Sequence, residues 1–187
     1  MSKKVLVPLA SGFEEIEAIA VIDVIRRGGI EVLVRSLDDQ LEVAGAHAIT
    51  VKADAPLGTL GAGDIDMIVL PGGWGGTTRL AEDGKVQALL KAMDAESKAI
   101  GAICAAPFAL NAAGVLKENY TCYPGVEEKI RLNGYLGDTL QVVEDANVMT
   151  SRGPGTAICF GLQIVKKLVG KEKYETLKKG LLATYCE

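Results

Sequence analysis

Ala99-Ile100-Gly101-Ala102-Ile103-Cys104-Ala105-Ala106-Pro107 is the stretch on which the fold turns. Five small or apolar residues run into a single thiol, and a proline then opens a helix. A run with no polar alternation is the mark of a parallel strand buried on both faces. The residue that ends such a strand sits on a strand-to-helix turn, facing the cleft where open α/β sheets bind ligands. The helix that follows aims its first amides and positive dipole end at the sulfur, which favours thiolate. A buried, inert cysteine is the alternative reading of Cys104.

Outward from this stretch, strand and helix patterns alternate. Residues 4–9 form a short apolar strand, and 14–27 carry Ile16, Ile19, Ala20, Val24 and Ile25 at helical spacings. Gly28-Gly29 stops that helix. Residues 30–36 and 65–70 read as further strands, with 41–43 and 47–52 as an appended hairpin. Helices are expected over 86–93, 107–113, 156–169 and 172–182, and a turn at 145–147 joins two short β pieces. The pattern predicts an α/β fold, a mostly parallel sheet with helices on both faces, in one domain covering 1–187.

Composition narrows the partners. The chain has 187 residues, 20 Lys and Arg against 24 Asp and Glu, and a net charge of −4. The signs are interspersed, so no nucleic-acid stripe is present. Lys166, Lys167, Lys171 and Lys173 read as the solvated end of a helix. No apolar run is long enough for a bilayer, and the basic start is interrupted by Pro8, unlike a signal peptide. A cytoplasmic protein is expected, with no membrane partner. The four cysteines, Cys104, Cys122, Cys159 and Cys186, form no Cys-x-x-Cys pair, and His47 is the single histidine. A zinc site is therefore not expected, and neither is any metal. All four cysteines are expected as free thiols, with Cys159 packed on an apolar helix and Cys186 exposed near the chain end.

Three turns share the carboxyl edge of the predicted sheet: Ser11-Gly12, Pro71-Gly72-Gly73 and Cys104 itself. Gly72 and Gly73 can offer amides to a developing oxyanion. An activating histidine is missing from this edge, which argues against a standard cysteine protease. The ionisable groups there are Glu14, Glu15 and Glu17. Glu14 and Glu15 suit a helix start. Glu17, in an apolar run, would hold its proton if buried and could donate it to the sulfur. Gly153-Pro154-Gly155 lacks the Lys-Ser/Thr of a phosphate loop, so no nucleotide cofactor is indicated.

Five segments, 9–17, 23–30, 69–73, 102–107 and 150–156, together resemble the ThiJ/PfpI superfamily, and within it the DJ-one branch. The resemblance implies a flavodoxin-like three-layer sandwich, a homodimer, and Cys104 on a strained elbow. It implies that Glu17 is a protonated acid touching Cys104 and that the Gly73 and Ala105 amides form an oxyanion site. It places Glu14, Arg27, His47, Tyr123, Arg152 and Pro154 at the cleft or dimer edge. Three positions depart from the family. Ala105 replaces the histidine of the protease-like branch, Tyr123 replaces a histidine near the cleft, and His47 stands where an arginine is usual.

Two function classes are compatible with this pattern. One is a cofactor-independent enzyme in which Cys104 attacks 2-oxoaldehydes, as a glyoxalase yielding lactate from methylglyoxal, or early protein glycation adducts, as a deglycase. The other is a redox sensor or chaperone switched by oxidation of Cys104 to sulfinate. An incidental thiol is the third possibility. The first helix, apolar on more than one face, is expected to line the homodimer contact with Asp23, Arg26 and Arg27.

Overall fold

The computed structural model describes residues 2–186; Met1 and Glu187, the two ends of the expected 1–187 domain, lie outside the described residues. The strands are β1 (Lys4–Leu9), β2 (Glu31–Ser36), β3 (Glu42–Ala44), β4 (Thr50–Lys52), β5 (Ala55–Pro56), β6 (Met67–Leu70), β7 (Ala99–Ile103), β8 (Val142–Asp145) and β9 (Val148–Ser151). The helices are α1 (Glu15–Arg27), α2 (Trp74–Glu82), α3 (Gly84–Ala95), α4 (Pro107–Ala113), α5 (Glu127–Ile130), α6 (Ala157–Leu168) and α7 (Lys171–Gly180).

Seven strands form one sheet in the order β5-β2-β1-β6-β7-β9-β8. All pairs are parallel except the β8–β9 hairpin at the edge. The central order β2-β1-β6-β7-β9 is the doubly wound order of the flavodoxin-like sandwich, with its switch point between β1 and β6. β3 and β4 form a separate antiparallel hairpin, as the sequence suggested.

Alternation along the strands builds two apolar layers. Val5, Val7, Leu9, Met67 and Val69 face α1 and α6. Leu6, Ile68, Leu70, Ile100 and Ala102 face the opposite cluster, which includes Leu80 of α2, Leu90 of α3 and Leu110 of α4. β7 is buried at every position, as expected of a strand covered on both sides. Side-chain tips fill the space above Gly101: a Cβ there would lie 3.0 Å from Phe160 Cζ and 2.9 Å from Met67 Cε.

Three sequence expectations are corrected. α2 was not foreseen, because Gly75 and Gly76 lower helix propensity. Gly76 is needed where the β1–α1 turn lies against α2: a Cβ there would stand 2.9 Å from the Phe13 nitrogen. His47 is in the turn between β3 and β4, not on a strand. Cys159 and Cys186 are not free thiols; they form a disulfide, and Cys186 is buried. Cys104 and Cys122 remain free. Sequence spacing could not foresee this pairing, because the return of α7 along α6 sets it.

α1 and α6 cross closely. A Cβ on Gly161 of α6 would lie 2.9 Å from Val24 Cβ and 3.0 Å from its Cγ1. Val24 Cβ is fixed to the α1 backbone and cannot rotate away. Gly161→Ala is therefore expected to lower stability by about 1–3 kcal/mol through overpacking. Urea denaturation checks this; an unchanged midpoint would show that the crossing can relax.

Candidate active site

The site forms where the turns after β1, β6 and β7 meet. The first turn leads into α1 through Glu14, the N-cap, whose carboxylate accepts from the Glu17 N–H at 2.8 Å. The Glu14 N–H in turn donates to the Gly72 carbonyl at 2.9 Å, joining the β1 turn to the β6 turn. One helical turn into α1, Glu17 is wholly buried. Its Oε2 accepts from the Gly72 N–H at 2.8 Å, and its carboxyl is hydrogen-bonded with the Cys104 thiol. Its Oε1 is buried without a nitrogen or oxygen partner.

Glycine is mandatory at the β6 turn. A Cβ on Gly72 would stand 2.5 Å from Glu17 Oε2 and 2.6 Å from Cys104 Cβ. Gly73 has φ +84°, and its Cβ would strike the Gly12 carbonyl at 2.4 Å.

Cys104 has φ 64°, the left-handed region that costs a side-chain-bearing residue about 1–2 kcal/mol. Its backbone is held on both sides: its N–H donates to the Ser151 carbonyl at 2.9 Å, and its carbonyl accepts from Tyr123 N–H at 2.9 Å. The Gly73 and Ala105 amides donate to the sulfur. Cys104 is buried, with 8% of its surface accessible, rather than freely exposed.

Burial governs the protonation states. It lifts the Glu17 carboxyl from 4.5 to about 7, against the pull of the Cys104 and Gly72 hydrogen bonds. Burial also pushes the Cys104 thiol up, helped by the negative charge of an ionised Glu17 and opposed by the Gly73 and Ala105 amides. The thiolate expected from the helix start alone is thus resisted by desolvation. Carboxyl and thiol sit too close to ionise independently, so they behave as a pair that gives up one proton near neutrality and the second far above it. After the first loss the charge resides on either partner. The form with proton on Glu17 and charge on sulfur is the one that the two amides stabilise.

The other candidate residues divide. Tyr123, Arg152, Gly153 and Pro154 line a cleft of about 290 Å³ with Pro124, Gly155 and Thr156. The Gly153 Cβ position lies 3.2 Å from the Tyr123 ring and 3.9 Å from Glu17 Oε1, which places this cleft beside the buried acid. Arg152 meets the exposed Asp138 at 3.6 Å. Arg27 is not brought to the cleft: it ends α1, roughly 20 Å along the helix from its start, and pairs with Asp23 at 2.8 Å. A second cavity, about 710 Å³, lies at the amino edge of the sheet among Lys3, Lys4, Glu31, Arg35, Asp66 and Lys98. It is larger but remote from the strand ends where this fold places its chemistry.

Sequence reasoning gave Glu15 only a helix-start role. The structure buries it as the anchor of the β3–β4 hairpin: Oε1 accepts from His47 N–H at 2.7 Å and Ile49 N–H at 3.4 Å, and Oε2 meets His47 Nδ1 at 3.0 Å. That hydrogen bond raises the His47 pKa. Among the described residues, Glu14, Glu15 and His47 are the one group whose donor atoms, within 4.8 Å of one another, could hold a cation. Glu15 is already occupied by these contacts, which makes the group a hairpin anchor. No helix among the described residues is long and apolar enough to cross a membrane.

The raised Glu17 pKa dictates a pH dependence. Between 4.5 and about 7 the folded chain keeps a proton that the unfolded chain has lost, so stability falls as pH rises through that window and levels off above it. The full shift corresponds to about 3 kcal/mol. Glu17→Gln has no such proton. The difference between the wild-type and Glu17→Gln urea midpoints, measured from pH 4.5 to 8, is expected to change by an amount of that order. A difference independent of pH would place the Glu17 pKa at its ordinary value.

Comparison with known proteins agrees with this architecture. The family model described as the DJ-1/PfpI family matches residues 3–167. Protein dj-1beta of Drosophila melanogaster is 41% identical over 186 residues, covering 99% of this chain and 100% of its own length. Its crystal structure superposes with a TM-score of 0.92, covering 97% of this chain and 98% of that one. The glutathione-independent glyoxalase DJR-1.2 of Caenorhabditis elegans is 39% identical over 168 residues, 90% of this chain and 89% of its own. An oxidised form of Toxoplasma gondii DJ-1, 35% identical, aligns over 97% of this chain and 98% of that one with a TM-score of 0.87. With a family match over most of its length and a full-length relative above 40% identity, this chain belongs to the DJ-1/PfpI family.

Proposed function

We propose that the protein is a cofactor-independent enzyme acting on 2-oxoaldehydes through Cys104. The observation that carries this reading is the convergence on one sulfur of the Glu17 carboxyl and the Gly73 and Ala105 amides. A nucleophile beside a proton carrier and two oriented N–H donors is the equipment of carbonyl addition. The name of the C. elegans relative, a glutathione-independent glyoxalase, supports the same substrate class.

The chemistry follows from the shared proton. Cys104 thiolate adds to the aldehyde carbon of methylglyoxal, and Glu17 supplies the proton to the new alkoxide, giving a hemithioacetal. Glu17, now ionised, takes the proton from the former aldehyde carbon. The resulting enediol is reprotonated at the neighbouring carbon, leaving a 2-hydroxyacyl thioester on Cys104. Water hydrolyses the thioester to lactate and restores the thiol. One carbon is oxidised and its neighbour reduced, so no external oxidant enters. Tyr123, Arg152 and Pro154 form the cleft wall that the substrate passes. Glycation adducts of small size are candidates for the same attack.

A second reading rests on the same donors. Oxidation of Cys104 by two equivalents of peroxide gives a sulfinate, whose oxygens would accept from Gly73, Ala105 and protonated Glu17. The oxidised T. gondii relative favours retaining this redox role beside catalysis. Homodimerisation belongs to the proposal as well: Ile16 and Ile19 of α1 and Ile49 of the hairpin are 59%, 45% and 58% exposed, an apolar surface beside the site.

Lactate formation from methylglyoxal without glutathione is expected to vanish in Cys104→Ser and to fall about 10²–10⁴-fold in Glu17→Gln, the range typical of lost general acid–base catalysis. Undiminished turnover in Glu17→Gln would remove the acid from the mechanism. No turnover in the wild type, with ready sulfinate formation by mass spectrometry, would leave the redox reading in its place. Sedimentation at micromolar concentration is expected to give a dimer that Ile19→Asp weakens; a wild-type monomer would refute the proposed assembly.

A further inference from the structure

The disulfide Cys159–Cys186 lies outside the site described above. It joins α6 to the end of the described chain, with the two Cα atoms 5.1 Å apart across a separation of 27 residues. The C-terminal segment that it fastens to α6, residues 171–186, buries few side chains besides its cysteine: Tyr174 and Ala183. Of the ten residues of α7, only Tyr174 is buried. Beyond α7, the backbone hydrogen bonds of Leu182, Ala183 and Cys186 run to Lys179, Lys178 and Ala183, all within the segment itself. The Gln141 side chain reaches across to it, donating to the Tyr185 carbonyl at 2.9 Å. Leu177 and Leu181 rest on the core only partly buried. A short polar helix with one buried side chain is marginal by itself. The covalent bond thus reinforces a segment that otherwise holds through Tyr174, Ala183 and the partly buried Leu177 and Leu181.

We propose that Cys159–Cys186 is a redox modification site, a latch that closes the C-terminal segment onto α6 when oxidised and releases it when reduced. Its co-reactants are a dithiol in one direction and a small disulfide such as glutathione disulfide in the other. In opening, one thiolate of the dithiol attacks Cys186 sulfur, the S–S bond breaks, and Cys159 leaves as thiolate and takes up a proton. The second thiol of the reductant then displaces Cys186, which is protonated in turn, and the reductant departs as its own disulfide. Two electrons and two protons pass to the protein. Both sulfurs are buried, so exchange requires the segment after α7 to lift first. Among the described residues no backbone–backbone hydrogen bond ties it to the rest of the fold, which makes that local opening accessible once Gln141 releases Tyr185. Release exposes Leu177, Leu181 and the apolar surface they cover. The latch is independent of the chemistry at Cys104.

A Cys104→Ser background keeps the reactive thiol out of the test. After treatment with glutathione disulfide, denaturation and alkylation with iodoacetamide, the intact mass is expected to show one alkylated thiol, Cys122. After dithiothreitol it is expected to show three. Trypsin is expected to cut at Lys178 and Lys179 roughly tenfold or more faster in the reduced protein, because the crosslink no longer restrains the segment. Reoxidation is expected to restore the slow rate. Adding Cys186→Ser is expected to give the fast rate under either treatment. Three alkylated thiols after oxidation, a glutathione adduct in place of the internal bond, or equal cleavage rates in the two states would each overturn the proposal.

Discussion

The hydrogen bond from Gly72 N–H to Glu17 Oε2 is the contact on which the site depends. It crosses the switch point of the sheet, tying the helix after β1 to the turn after β6. The same carboxyl engages the sulfur at the end of β7. Three strand ends are thereby referred to one buried acid. Burial makes the acid costly as an anion, and that cost keeps a proton available near neutral pH.

The geometry leaves little freedom around that acid. Gly72 has no space for a side chain because the Glu17 carboxyl and the Cys104 side chain already occupy it, and Gly73 is held at a positive φ against the Gly12 carbonyl. Cys104 adopts a similar φ without being glycine. Its conformation persists because Ser151 and Tyr123 bind the peptide groups on either side. Strain held in this way by neighbouring structure clusters at functional sites. The result aims the sulfur at the amides of Gly73 and Ala105 rather than into the core.

Much of this was readable in the residues. The β7 strand and α4 follow from an unbroken apolar run and a proline at the first helical position, and both were placed correctly. The place of Glu17 at the carboxyl edge was readable from its register one turn into α1. Three things were not. The helix α2 is disguised by two glycines, of which Gly76 serves a tertiary purpose: it admits the neighbouring β1 turn. Glu15 reads only as a helix-start acid, because the hairpin that covers it is remote in sequence. The Cys159–Cys186 pair depends on how α7 folds back along α6, which no local pattern encodes.

Trp74 gives the site an optical handle. It is the single tryptophan of the chain and directly follows Gly73 at the start of α2. Its indole is partly exposed, tilted against Phe108 with ring centroids 5.3 Å apart, and has the Lys129 ammonium 5.5 Å from its ring. Phe108 belongs to α4, the helix that follows the cysteine elbow. The indole emission therefore originates from one known position, bridging the two turns that supply the amide donors. Any adjustment between those turns is registered as a change in the fluorescence of a single chromophore, with no label attached to the protein.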